Sequence, residues 1–172
     1  MNDKKVLFVL ANQNFRDEEY FDSREEIKKA NIGIVTATLD KGECVGVGGS
    51  KVLADLSISS VDANQFDAVI FIGGVGVEHY LNNETVFALV HKFVDSGKIV
   101  AAICWAPAIL ANAGVIAGSR VTAWSGCRKD LEKGGATYTG EPVTVDGNFI
   151  TADGPASAQD FGKAIVKKLG EA

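Results

Sequence analysis

The sequence predicts an α/β fold with a mostly parallel, doubly wound sheet, and three observations predict it. Several short runs are wholly apolar, among them Val6 to Ala11, Ala68 to Ile72 and Lys98 to Ile103 after its first residue. Runs of that length without polar alternation suit strands buried on both faces, the condition of a parallel sheet. Helical stretches separate these runs, and alternating strands and helices produce crossovers that keep the strands parallel. Finally, glycines or a sharp turn follow the strand ends, where ligands bind in open α/β sheets.

Taken in order, Val6 to Ala11 is the first central strand and Asn12-Gln13-Asn14 reads as a loop. Arg16 to Ala30 is helical, with Asp17, Glu18 and Glu19 in its first turn and Lys28 and Lys29 in its last, the order the helix dipole prefers. Gly33 to Leu39 is the second strand. Lys41 to Leu53 is glycine-rich and weakly alternating, which predicts a small hairpin with Gly48-Gly49 near its turn. Ser60 to Gln65 is a connector, and Ala68 to Ile72 a strand ending in Gly73-Gly74. Asn83 caps a helix from Glu84 to about Ser96, and Gly97 stops it. The Lys98–Ile103 strand runs into Cys104, then into a helix from Ala106 to Ala111 with Pro107 in its first turn. Gly118 to Thr122 is a short strand and Gly126 to Lys133 a helix. Ala136–Thr139, Val143–Val145 and Phe149–Thr151 are short strands, the last two joined by the turn pair Asp146-Gly147. Pro155 to Leu169 is the final helix, with Ala158, Phe161, Ile165 and Leu169 close to one face.

The 172 residues are read as one domain, 1–172, with 47% hydrophobic and 23% charged residues. A net charge of −5 without a long basic run argues against a nucleic-acid partner or an anionic membrane surface. No apolar stretch approaches the ~20 residues of a membrane-spanning helix, and Met1 to Lys5 leads into a strand with no signal-peptide core. Three widely spaced cysteines make no disulfide framework, so a reducing cytoplasm is expected. Cys44, Cys104, Cys127, His79 and His91 show no metal-ligand spacing, so no metal is expected.

Cys104 is the first candidate for chemistry. It stands where a buried strand turns into a helix, a cysteine version of the nucleophile elbow, and a helix N-terminus favours a thiolate. Its alternative is a small buried apolar residue, a common fate of free cysteine. Gly73-Gly74, with Gly76, follows a later strand rather than the first, so it does not fit a dinucleotide loop. It fits a close backbone approach with amides free for an oxyanion, or a plain turn. Glu18 and Glu19 cannot both face one pocket, because helix neighbours point about 100° apart. One is dipole decoration. The other, held near a thiol, would have its pKa raised and could shuttle a proton.

These pieces together resemble the DJ-1/PfpI superfamily from end to end. The resemblance rests on Val6-Leu7-Phe8-Val9-Leu10-Ala11-Asn12, Phe15-Arg16-Asp17-Glu18-Glu19-Tyr20, Ile72-Gly73-Gly74 and Ala101-Ala102-Ile103-Cys104-Trp105-Ala106-Pro107. Val121-Thr122, Val145-Asp146-Gly147-Asn148 and Thr151-Ala152-Asp153-Gly154-Pro155 also fit. The resemblance implies a flavodoxin-like α/β/α sandwich, dimeric or assembled into hexamers. It places the family cysteine on Cys104 and the family glutamate on Glu19, or on Glu18 if the loop shifts by one. The backbone oxyanion donors fall on Gly74 and Trp105, and an interface glutamate on Glu78. Trp105 and Trp124 stand where family branches carry histidine, and His79 is a remote substitute. The Cys–His pair of a peptidase is therefore missing, and the two indoles are expected to narrow and dry the pocket, favouring small substrates. The implied activity is cofactor-independent processing of a small aldehyde, of glyoxalase or deglycase type. The alternatives are a redox-sensing or stress-protective protein with an oxidisable Cys104 and, less well supported, a cysteine peptidase or amidase.

Overall fold

The computed structural model describes residues 3–171. Seven strands form the central sheet: β1 (Lys5–Val9), β2 (Gly33–Thr38), β3 (Leu56–Ser57), β4 (Ala68–Phe71), β5 (Ile99–Ile103), β6 (Val143–Asp146) and β7 (Phe149–Ala152). Their spatial order is β6-β7-β5-β4-β1-β2-β3. Every neighbouring pair is parallel except β6 and β7, which form the hairpin signalled by Asp146-Gly147. The sheet is sandwiched by α1 (Asp17–Lys29) and α5 (Ala158–Gly170) on one side and α2 (Glu84–Asp95), α3 (Pro107–Asn112) and α4 (Arg128–Lys133) on the other. This is the expected flavodoxin-like arrangement.

The apolar runs are continuous because both faces of each strand are covered. Val6, Phe8, Leu10, Ile70, Ala101 and Ile103 point toward Tyr20 and Ile27 of α1 and Phe161 and Ile165 of α5. Leu7, Val9, Val69, Phe71, Val100 and Ala102 point the other way, toward Val86, Leu89 and Phe93 of α2 and Ile109 and Leu110 of α3. Helix α2 begins as its sequence prescribes, with the Asn83 carboxamide oxygen accepting from the Thr85 and Val86 N–H groups at 3.0 and 3.1 Å. Helices α1 and α5 approach closely because Gly162 has no side chain. A Cβ there would lie 2.8 Å from the Ser23 carbonyl oxygen. No helix among the described residues is long and apolar enough to cross a membrane.

One local expectation is corrected. Gln13–Phe15 is a short strand rather than a loop, beside Glu43–Gly46, which pairs antiparallel with Lys51–Leu53. Its partner lies about thirty residues away, so local pattern could not reveal it. Leu56–Ser57 forms an edge strand of only two residues, too short to carry a period.

The hairpin is fastened to the start of α1 by Asp17, whose carboxylate accepts from the N–H groups of Gly48 at 2.6 Å and Ser50 at 3.1 Å. Partial burial pushes the Asp17 pKa up, but hydrogen bonds from Ser50 and Gly48 outweigh it and hold the pKa below the usual carboxylate value. Asp17→Ala is expected to lower stability by about 1 kcal/mol, the scale of hydrogen bonds to a partly solvated charged group. The folded-state pKa is depressed, so this stabilisation is present at neutral pH and is lost as pH falls through the carboxylate range. Thermal melts of both proteins at pH 7 and at about pH 3 check this, since the gap between them closes in acid.

Candidate active site

Cys104 follows the last residue of β5 in a left-handed conformation, with φ +63°. Such a φ is unfavourable for a side chain other than glycine or asparagine and persists only where the surroundings enforce it. Here they do. The Cys104 N–H donates to the Ala152 carbonyl at the end of β7 (2.9 Å), and its carbonyl accepts from the Trp124 N–H (2.9 Å). The Cys127 thiol lies beneath, 3.8 Å from the same carbonyl and 3.1 Å from that of Trp124. Ala106 N–H to Ile103 carbonyl (3.1 Å) closes the turn, and Pro107 then opens α3 as its first residue. The strand ends, the chain reverses, and the side chain projects at the carboxyl edge of the sheet.

Glu19 meets it from α1. Its side chain is fully buried, 0% exposed. Oε2 accepts from the Gly73 N–H at 2.8 Å, while Oε1 is buried with no aligned hydrogen-bond partner. The Ser23 hydroxyl donates to the Glu19 carbonyl at 2.6 Å one turn on. Glu18 is exposed and ion-paired with Arg16 at 2.9 Å, so of the two glutamates it is Glu19 that the helix turns inward. The Arg16 N–H donates to the Gly73 carbonyl (2.9 Å), so Gly73 is held by the α1 entry on both its N–H and its carbonyl.

Electrostatics couple the two groups. Burial raises the Glu19 pKa to about 7, although the Cys104 thiol and the Gly73 N–H pull it down. Burial and the neighbouring Glu19 carboxylate push the Cys104 thiol up to about 12, against the Trp105 N–H, which lowers it. The expectation of a helix-dipole thiolate is therefore corrected. Helix α3 has only six residues, and desolvation beside a carboxylate outweighs its end. The pair titrates as a unit. It loses one proton near neutrality, from the carboxyl, and the thiol keeps the other to high pH.

The N–H groups of Gly74 and Trp105 donate to no backbone carbonyl among the described residues, and that of Trp105 faces the Cys104 sulfur. Gly74 has φ +107° and opens a tight turn over Val75–Tyr80. The other sequence candidates lie further out. Glu78 and His79 are exposed in that turn. Trp105 is half-buried and Trp124 is 49% exposed. Their rings meet edge to face, with centroids 6.2 Å apart and planes at 65°. Among the described residues, no group of three His, Cys, Asp or Glu side chains could hold a metal. A cavity of about 570 Å³ opens at the opposite, amino edge, lined by Lys4, Asp67, Lys98 and Asn148 among others. Its lining contains no cysteine, so the candidate site is placed by the thiol–carboxyl pair rather than by cavity size. The sequence did not reveal the Asp17 clamp, the Arg16–Gly73 bond or the Cys127 thiol under the elbow. Each is a pairing between distant segments with no local signature.

Comparison with known proteins agrees with this geometry. The DJ-1/PfpI family model matches residues 4–168. A Methanocaldococcus jannaschii protein of uncharacterised function is 37% identical over 98% of this chain and 84% of its own length. A Pyrococcus horikoshii protein named as a deglycase is 33% identical over 96% of this chain and 99% of its own. The crystal structure of a ThiJ/PfpI domain protein from Brachyspira murdochii superposes with a TM-score of 0.96 at 36% identity, covering 98% of this chain and 97% of that one. With a flavodoxin-like sheet, a cysteine elbow at its carboxyl edge and matches along nearly its whole length, this chain belongs to the DJ-1/PfpI family.

Proposed function

We propose that this protein is a cofactor-independent enzyme that uses Cys104 to process small reactive carbonyls, in glyoxalase or deglycase fashion. The observation that carries the reading is the Glu19 carboxyl. It is fully buried, it is fixed through one oxygen on the Gly73 N–H, its other oxygen has no aligned partner, and the carboxyl lies against the Cys104 thiol. Relatives at 33% identity named as deglycases support it.

For a 2-oxoaldehyde the steps follow from the groups present. Glu19 as carboxylate takes the thiol proton while sulfur bonds to the aldehyde carbon. The C=O electron pair moves onto oxygen, toward the N–H groups of Gly74 and Trp105, and that oxygen then takes the proton from Glu19. Glu19 next removes the hydrogen from the former aldehyde carbon as a proton, leaving an enediolate with its charge on the former ketone oxygen, and returns that proton to the adjacent carbon while the hydroxyl proton of the former aldehyde carbon passes to the former ketone oxygen. The former aldehyde carbon is now a thioester, oxidised by two electrons, and the former ketone carbon a secondary alcohol, reduced by two. Water cleaves the thioester, releasing a 2-hydroxy acid and the thiol, so no external oxidant or reductant is needed. The substrate is a small aldehyde, and the working form is proposed to be a cytoplasmic homo-oligomer, dimer or hexamer, with Glu78 at its interface.

The test is methylglyoxal consumption with product identification. Wild type is expected to yield lactate, and Cys104→Ser to lose turnover by at least about a hundredfold. Lactate formation that survives Cys104→Ser contradicts the proposal. A second, redox-sensing reading has one observation in its favour: Cys104 retains solvent access, whereas Cys44 and Cys127 are buried. Selective peroxide oxidation of Cys104 in a wild-type protein without turnover would select it. The peptidase reading draws no support, since His79 and His91 are exposed, His79 in the Val75–Tyr80 turn and His91 on α2.

A further inference from the structure

The carboxyl edge carries an apolar collar that the thiol and carboxyl do not use. Val75 directly follows Gly74 and is 59% exposed, and Trp124 is 49% exposed. Trp105 sits half-buried between nucleophile and helix. The collar comes from the same backbone positions that surround the reacting atoms. Gly74 and Trp105 supply the candidate oxyanion donors, and the Trp124 N–H holds the Cys104 carbonyl at 2.9 Å. The indoles are also placed rather than loose. Trp124 meets Trp105 edge to face, and its six-membered ring covers Gly126, where any Cβ would strike it. Flanking cations are engaged elsewhere: Arg16 with Glu18, and Arg128 with Glu132 and over the Tyr138 ring. What the rim offers a ligand is therefore aromatic surface, with a preference for edge-to-face or offset ring contacts.

Resting on the reading of Cys104 and Glu19 as a carbonyl-processing pair, we infer that Trp105 and Trp124 are specificity-determining residues that select 2-oxoaldehydes bearing an aryl group over those bearing a methyl group. The carbonyl carbon must reach the sulfur, and its oxygen the Gly74 and Trp105 amides. The substituent is then left to leave across the collar, where a phenyl ring meets two indoles and a methyl group meets neither fully. The reaction is that of the smaller substrate: phenylglyoxal and water give mandelate.

The experiment measures kcat/KM for phenylglyoxal and for methylglyoxal in wild type, Trp124→Ala and Trp124→Phe. Wild type is expected to prefer phenylglyoxal by about tenfold or more. Trp124→Ala brings the ratio toward one, chiefly through a higher KM for phenylglyoxal, and Trp124→Phe keeps most of it. Trp124 is half exposed, so neither change threatens folding. Turnover of both aldehydes without a wild-type preference, or with a ratio unmoved by Trp124→Ala, overturns this inference and leaves the carbonyl reading standing. No turnover of either aldehyde by wild type overturns the carbonyl reading and the inference with it.

Discussion

Glu19→Gln is expected to give a protein more stable than wild type above neutral pH and almost inactive. The two effects have one cause. Burial raises the Glu19 pKa in the folded chain to about 7 from an ordinary 4.5. Between these values the folded protein holds a proton that the unfolded chain releases. Wild-type stability therefore falls as pH rises through that window, and the deficit persists above it. Glutamine has the shape of the protonated acid, keeps an oxygen for the Gly73 N–H, and carries no charge to desolvate. The stability gain is expected to be on the order of 1 kcal/mol or more, about 2–4 °C in Tm per kcal/mol for a chain of this size. It should be present at pH 8 and vanish below about pH 4.5, where glutamic acid is neutral in both states. Activity falls by about 10²–10⁴, the usual worth of a positioned acid–base group. Thermal melts at the two pH values, with methylglyoxal assays on the same samples, check both halves. A variant that is destabilised at pH 8 contradicts the assigned burial cost.

Gly73→Ala is expected to damage fold and site together. A Cβ at this position would stand 2.6 Å from Glu19 Oε2, 2.8 Å from the Cys104 Cβ and 2.8 Å from the Ile103 carbonyl oxygen. None of the three is the loose end of a flexible side chain. Glu19 is fully buried, Cys104 is fixed in its turn, and Ile103 belongs to β5. Overpacking of this kind costs about 1–3 kcal/mol, and the group most able to yield is the Glu19 carboxyl, whose displacement removes the proton acceptor. Urea denaturation should show the loss of stability, and turnover should fall about as far as in Glu19→Gln. Gly170→Ala, where a Cβ would meet nothing within 4 Å, is the control and should leave turnover unchanged and stability no lower than wild type. If Gly73→Ala retains wild-type turnover, the packing of Glu19 against Gly73 and Cys104 is not what the chemistry needs.

The sequence carried most of this architecture because the strands of a parallel sheet are buried on both faces. Val6-Leu7-Phe8-Val9 and Ala68-Val69-Ile70-Phe71 announce themselves as apolar runs, and Asn83, Gly97 and Pro107 mark helix ends by chemistry that acts within a few residues. Cys104 was legible for the same reason, since strand, cysteine and helix are consecutive. Long-range pairings were not. Gln13–Phe15 becomes a strand only because Glu43–Gly46 lies beside it. The titration of Cys104 was misjudged because the helix end is local and visible, while Glu19 and the desolvation it shares come from 85 residues away. The choice between Glu18 and Glu19 depended on how α1 rotates. The close approach of Gly162 of α5 to Ser23 and Glu26 helps fix that rotation, and this contact has no signature in sequence.

The central claim is that ionised Glu19 takes the Cys104 thiol proton and that the two work on carbonyls as a unit, and the pH dependence of kcat/KM for methylglyoxal tests it most directly. Activity requires the singly protonated pair, so wild type should gain activity as pH rises through about 7, and the residual activity of Glu19→Gln should lack that limb. A wild-type profile that is flat from about pH 5.5 to about pH 8.5, or an unchanged limb in Glu19→Gln, would contradict it.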